Sequence, residues 1–223
     1  TRLAALAELQ VLDTAPEGAF DSLAQLTAEM FGAPVALITL LDADRQWFKA
    51  AVGVEVRETP LAHSFCAEGL KVDEAVFEVP DALGDPRFAT NPLVTGRMQV
   101  RYYAGASIRA PNGVKIGSLC VIDRKARTPM TAEERHRLVL LAEAVTNALT
   151  LRMELIAREA AEARLAESEA RYRHLANHCH DILLRADSQG VILYASPSCR
   201  SLGYAPEDVV GRNLVDFVAD TYK

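Results

Sequence analysis

No CxxC pair, no basic cluster and no long apolar run occurs in this sequence, and each absence closes off a class of function. Cys66, Cys120, Cys179 and Cys199 are scattered. That spacing offers no disulfide framework, and it suits thiols in a reducing compartment, mostly acting as small core hydrophobes. The formal charge of −6 and pI near 5.4 give no electrostatic reason for a nucleic-acid partner. No apolar stretch approaches the roughly 18 to 20 residues that cross a bilayer. The opening TRLAALAELQ lacks the apolar core and cleavage site of a signal peptide. A cytoplasmic protein without membrane insertion is therefore expected. Glycine and proline are also missing between Pro129 and Gly190, so nothing there interrupts a helix.

Half of the residues are hydrophobic, enough for a proper core. Leu3, Leu6, Leu9 or Gln10 stand at helical spacing and predict a short amphipathic helix. Thr14 and Glu17 have the spacing of a capping box, which predicts a second helix over about 16–31, stopped by Gly32. The unbroken run VALITLL (35–41) reads as a strand covered on both faces, DADR (42–45) as a turn and QWFKAAVG (46–53) as the returning strand. HSFCAEGL predicts a short helix, VFEVPD a strand, and 81–97 a long irregular loop of the kind kept for binding. YYAGASIRA and VKIGSLCVID flank Asn112-Gly113, a pair that favours a two-residue hairpin turn. Five strands with flanking helices make an α+β domain.

Thr131 and Glu134 form another capping-box pattern, opening a helix of about 45 residues and hence about 70 Å. Leu138, Leu141, Val145 and Ala148 form a seam that continues in shifted register through Leu149, Met153, Ile156, Ala160 and Ala163. Glu133/Arg137, Glu154/Arg158, Glu167/Arg171 and Glu169/Arg173 are favourable i,i+4 pairs, each worth about 0.3 kcal/mol. A 150-residue domain cannot cover such a length, so a homodimer through a coiled coil is expected, with a solvated single helix as the alternative. Beyond it, DILLRADSQGVILYASP (181–197) predicts a second hairpin, followed by short helices.

His63 and Cys66, three apart in HSFC, could give a metal two ligands from one helical face and Cys120 a third, but no second spaced pair completes a zinc site. His178 and His180 in NHCH alternate and cannot share a face of a helix. No metal is expected. A Cys/His nucleophilic pair would need a neighbouring oxyanion hole, for which no motif is present, so the chain itself is not expected to be catalytic. A reversible redox role for Cys66 asks only for one partly exposed thiol.

The motifs LDTAPE, DADRQWFK, HSFC, PDALGDPRFATNPLVTG, YYAG and GSLCVID stand in an order that resembles a bacterial subgroup of the GAF sensory domains. SEARYRHL, DILLRADSQGVILYASPS and LGYAPEDVVGRNLVDF resemble the first half of a PAS domain. The implied organisation is a GAF domain over 1–130, a signalling helix over 131–178 and the N-terminal half of a PAS domain over 179–223, ahead of an effector. The resemblance implies a sensory fragment, with a sensor histidine kinase as first choice of parent. The regulatory part of a diguanylate cyclase or phosphodiesterase is the alternative, and a ligand-free dimerisation module a third. The only Cys-His dipeptide, Cys179-His180, falls outside the GAF region, which argues against bilin. Leu214 stands where flavin-adduct PAS domains carry cysteine, and no Asn-Lys signature of cyclic-nucleotide GAF domains occurs. No cofactor is expected.

Carried over by resemblance, a small-molecule pocket involves Trp47, Phe48, His63, Phe65, Cys66, Asp81, Phe88, Asn91, Tyr103, Ser107 and Cys120. Aromatic walls with a few polar groups suit a modest organic ligand, and a filled core is the competing reading of the same residues. Trp47 and Phe48 are neighbours on one strand, so only one of them can face the pocket.

Overall fold

The apolar run at 35–41 lies in the interior of a six-stranded antiparallel sheet. Its strands are β1 (Val35–Leu41), β2 (Arg45–Val52), β3 (Glu58–Pro60), β4 (Val76–Val79), β5 (Tyr102–Arg109) and β6 (Lys115–Asp123), in the order β3-β2-β1-β6-β5-β4. All seven residues of β1 are buried because both faces of the sheet are covered. The structure is a computed structural model and describes residues 1–178 and 181–218. The chain divides into two units, Thr1–Ile156 and Ala157–Lys223.

On one face of the sheet lie α1 (Arg2–Leu9), α2 (Gly18–Met30) and the first part of α5 (Ala132–His178), around a core that includes Leu6, Phe20, Ile38, Tyr102, Leu138 and Val145. The other face carries α3 (Phe65–Lys71), α4 (Pro92–Thr95) and the 81–97 loop over a core with Phe48, Phe65, Phe88, Tyr103 and Cys120. The sheet thus separates two cores, and strand alternation sends neighbouring residues into different ones. Tyr102 faces the long helix and Tyr103 faces α3.

The expected capping box at Thr14 and Glu17 does not form. Glu17 itself is the N-cap residue of α2 and makes no side-chain cap bond. Its carboxylate instead accepts from Lys49 Nζ at 2.5 Å and Arg152 Nε at 2.9 Å. Lys49 is buried, and its ammonium also donates to Thr14 Oγ1 and the Ala15 carbonyl at 2.8 and 3.1 Å. A buried ammonium without a carboxylate would cost several kcal/mol, so this partnership outweighs a local cap worth about 1 kcal/mol.

Two smaller expectations also change. A sixth strand, β3, pairs with β2. The β5–β6 connection runs over residues 110–114 rather than two, with positive φ at Gly113 but not at Asn112.

The box at Thr131 does form. Glu134 N donates to Thr131 Oγ1 at 3.2 Å, and Thr131 N donates to Glu134 Oε2 at 2.8 Å. α5 runs for 47 residues, about 70 Å. Of the expected early seam, Leu138, Leu141 and Val145 are buried within the first unit and Ala148 is half-buried, while the most deeply covered line on this part of α5 is Leu138, Ala142, Val145 and Leu149, each at most 1 % exposed. Arg152 donates to the Leu9 carbonyl at 2.9 Å, holding α5 against the end of α1. Residues 157–167 are exposed throughout. The Glu133/Arg137 and Glu167/Arg171 pairs form, whereas Arg158 pairs with Glu162 instead of Glu154.

The second unit contains β7 (Leu184–Ala186) and β8 (Ile192–Ala195), then a 3-10 turn at Pro197–Leu202, α6 (Pro206–Val209) and α7 (Leu214–Val218). Asp187 Oδ1 accepts from the amides of Gln189 and Val191, and Gly190 takes φ 85°, which shapes the Ser-Gln-Gly turn. Ile192, Ala195, Cys199 and Val209 form its small core. Cys179 and His180 of the NHCH motif lie outside the described residues.

Candidate functional site

Ser64 sets the position of α3. Its Oγ accepts from Ala67 N at 3.0 Å as the N-cap and donates to Gln46 Oε1 on β2. This cap places His63 in the 3-10 turn Leu61–His63 ahead of α3, so His63 and Cys66 are not ligands on one helical face. The far end of α3 lies close to β4 because position 69 has no side chain. A Cβ on Gly69 would sit 3.0 Å from Phe77.

Behind α3 an aromatic stack fills much of the space. Phe65 lies flat on Phe88 with centroids 4.0 Å apart and 5.3 Å from Tyr103, and Phe77 closes the group. Arg87 covers its rim, 5.1 and 5.3 Å from the Phe77 and Phe88 rings.

A cavity of about 160 Å³ remains beside the stack, close to the roughly 150 Å³ that holds one benzene in an engineered apolar core. Phe48, Phe65, Cys66 and Tyr103 line it, as do the unanticipated Gln46, Thr59 and Met98. No Asp, Glu, Lys, Arg or His is among its wall residues. The Thr59 hydroxyl is buried there without a hydrogen-bond partner, so it is available to a ligand atom. Val56, half exposed, marks where the cavity meets solvent.

The remaining candidates stand elsewhere. Trp47 belongs to the core on the long-helix face. Asp81 receives a bidentate pair from Arg101 at 2.8 and 2.9 Å and organises the loop. Asn91 caps α4 and donates to the His63 carbonyl at 3.1 Å. Phe88 stands behind Phe65, and Ser107 lines a surface cleft beside α5.

Cys66 and Tyr103 stand on the cavity wall, and Thr39, Ser118 and the expected pocket residue Cys120 lie off the lining, around the Cys66 side chain. Tyr103 Oη lies 3.1 Å and Thr39 Oγ1 3.3 Å from the Cys66 sulfur. Burial alone would push the Cys66 thiol up. Hydrogen bonds from Cys120, Ser118, Thr39 and Tyr103 outweigh it and bring its pKa below the ordinary thiol value. Cys120 moves up, because its proton is held by the Cys66 sulfur and it too is buried. Tyr103 is likewise raised by burial and by the charge on Cys66.

Gly105 makes this arrangement possible. A Cβ there would stand 2.3 Å from Tyr103 Oη and 3.2 Å from Cys120 Cβ. Gly105→Ala is expected to destabilise the first unit by about 2 kcal/mol. Adding Tyr103→Phe should return part of that loss, because the phenol oxygen is the atom struck first. Urea unfolding of both single variants and the double measures the coupling; strict additivity would refute the collision.

The family model for the GAF domain matches residues 15–149. The chain belongs to the GAF family. A model of the PAS fold matches residues 170–223, following the GAF domain. The GAF region is similar to the cyclic di-GMP phosphodiesterase PA2567 of Pseudomonas aeruginosa, 41 % identical over 134 residues, covering 60 % of this chain and 23 % of that protein. The chain therefore spans about a quarter of that relative's length.

Two solved structures share the fold. The GAF domain of an Acinetobacter phosphoenolpyruvate-protein phosphotransferase is 18 % identical at TM-score 0.50, over 67 % of this chain and 92 % of that one. Bacteriophytochrome RpBphP3 from R. palustris is 16 % identical at TM-score 0.54, over 81 % and 42 %. The GAF and PAS domains make this a sensory module.

Proposed function

We propose that this GAF–PAS chain is the regulatory part of an enzyme of cyclic di-GMP turnover, in which cavity occupancy is passed through the sheet to α5. The observation that carries the reading is the placement of cavity and helix on opposite faces of the same strands. Tyr103 and Cys120 face the cavity side, while Tyr102, Leu119 and Val121 pack in the core that seats α5. A shift of β5 or β6 therefore reaches both cores, since a close-packed interior transmits displacement. The named relative supports the output, moving the phosphodiesterase or cyclase alternative ahead of the histidine kinase.

A wall without a cationic side chain suits a neutral, single-ring-sized ligand and disfavours any phosphate-bearing one, whose buried charge would lack a partner. Dimerisation through α5 belongs to the same reading. Leu155, Leu165 and Tyr172 of α5 are 51, 62 and 71 % exposed. A second reading, a dimerisation module that binds nothing, draws on the Phe65–Phe88–Tyr103 stack occupying much of the expected pocket.

The test is an assay of the full-length protein together with light scattering. Cyclic di-GMP hydrolysis or synthesis by a dimer is expected. Autophosphorylation on histidine without nucleotide turnover, or a monomer at micromolar concentration, would overturn the proposal.

A further inference from the structure

The cysteine pair is left without a task by a purely apolar ligand pocket. Cys66 is on the cavity wall, while Cys120, on β6, is off the lining and faces the same core. Both cysteines stand around the Tyr103 hydroxyl: its oxygen lies 3.1 Å from the Cys66 sulfur, and the one space that a side chain on Gly105 would take touches both that oxygen and Cys120 Cβ. Thr39 Oγ1 is a second hydroxyl on Cys66, at 3.3 Å. Core packing alone asks only for small apolar side chains, and for no hydroxyl held over a sulfur by a glycine that clears its path. Any molecule reaching Cys66 has to be small and uncharged, because the cavity is its route and no Asp, Glu, Lys, Arg or His lines it.

We propose that Cys66 and Cys120 are a reactive thiol pair that a peroxide entering by the cavity converts into a disulfide joining α3 to β6. In the first step the Cys66 thiolate attacks a peroxide oxygen. The O–O bond breaks, Cys66 becomes a sulfenic acid, and hydroxide leaves, taking up the proton that Cys66 had released. In the second step the Cys120 sulfur attacks the sulfenic sulfur. The S–S bond forms, the S–O bond breaks, and hydroxide leaves as water with the Cys120 proton. Two thiols are oxidised, one hydrogen peroxide is reduced, and two waters form.

Tyr103 acts as a positioning residue, its hydroxyl donating to the sulfur that ionises. Thr39 shares its single proton between the Cys66 sulfur and the Ser118 carbonyl, 3.1 Å away, which leaves Tyr103 as the more dedicated donor. The inference is independent of the cyclic di-GMP reading, since the thiol chemistry is measured on the isolated chain.

The reduced 223-residue chain is treated with hydrogen peroxide, quenched, unfolded, alkylated and mapped by peptide mass spectrometry. Expected is the paired loss of alkylation at Cys66 and Cys120 with a peptide cross-linked between them. In Cys120→Ser the reaction should stop at a sulfenic acid on Cys66 that dimedone traps. In Tyr103→Phe the pH midpoint of the peroxide reaction should rise by about one unit, the effect of one hydrogen bond to a charged group. The proposal is overturned if Cys66 and Cys120 stay fully alkylatable under peroxide that oxidises the unfolded chain. It is equally overturned if Cys66 oxidises without ever linking to Cys120.

Discussion

Gly117→Ala should cost the GAF domain about 4 kcal/mol or more. Gly117 lies in β6 opposite Leu40 of β1 and Ile108 of β5. A Cβ there would stand 1.9 Å from the Thr39 carbonyl oxygen and 3.0 Å from Leu40 Cα. These are backbone atoms of an interior strand, so no side-chain rotation relieves the collision, and relief means parting β1 from β6. Overpacking in a core typically costs about 1–3 kcal/mol when side chains can yield, and here they cannot. The loss is a large share of the roughly 5–15 kcal/mol that a domain commands. Trp47, the chain's single tryptophan, is buried in this domain and gives urea unfolding an unambiguous fluorescence signal. Gly113→Ala is the control: its Cβ would meet open space and only the positive φ of 81° resists it, so about 1 kcal/mol is expected. Equal losses at the two sites would refute the collision.

Glu17→Gln should lower stability by about 3 kcal/mol at neutral pH, because Lys49 keeps its charge inside the domain and loses its carboxylate. Burial pushes the Glu17 carboxyl up, but the bonds from Lys49 and Arg152 prevail and hold it below its ordinary value of 4.5. A folded value below the unfolded one contributes stability above pH 4.5, and that contribution is lost as pH falls through the lower folded value. The gap between the native chain and Glu17→Gln should therefore be full at pH 7 and narrow in acid. Lys49→Met combined with Glu17→Gln should recover most of the loss, since removing both charges removes the desolvation penalty. A pH-independent gap, or a double variant as weak as the single, would assign Glu17 a different role.

Local pattern carried most of the fold and less of the site. The run at 35–41, the Thr131/Glu134 box and the uninterrupted stretch after Pro129 are signals in which neighbouring residues decide the outcome, and β1 and α5 followed from them. Thr14 and Glu17 had an equally good local spacing, yet Glu17 serves Lys49 and Arg152, 32 and 135 residues away. No local window contains either partner.

The pocket shows the same division. Strand alternation explains why Phe48 and not Trp47 lines the cavity, and HSFC placed Phe65 and Cys66 beside it. Gln46, two residues before Phe48, faces the cavity by the same alternation, whereas Met98 arrives from an irregular loop. The placement of Thr59 depends on a three-residue edge strand too short to announce itself. His63 missed the helix because the residue after it, Ser64, is the cap.

The strand order also has a consequence for synthesis. β1 needs β6 at its side, Leu37 opposite Cys120, yet the two are 83 residues apart in the chain. At about 5–20 residues per second, a ribosome takes on the order of 4 to 17 seconds to supply the missing neighbour. During that interval the nascent protein offers the seven-residue strand VALITLL, apolar but for Thr39, with one edge unpaired. β2 emerges within moments and can occupy the other edge, leaving a hairpin that is two of the six strands. Slow, non-local pairing of this kind exposes a sticky strand to other nascent chains, so the yield of soluble protein should depend on translation rate and on chaperones that hold such segments.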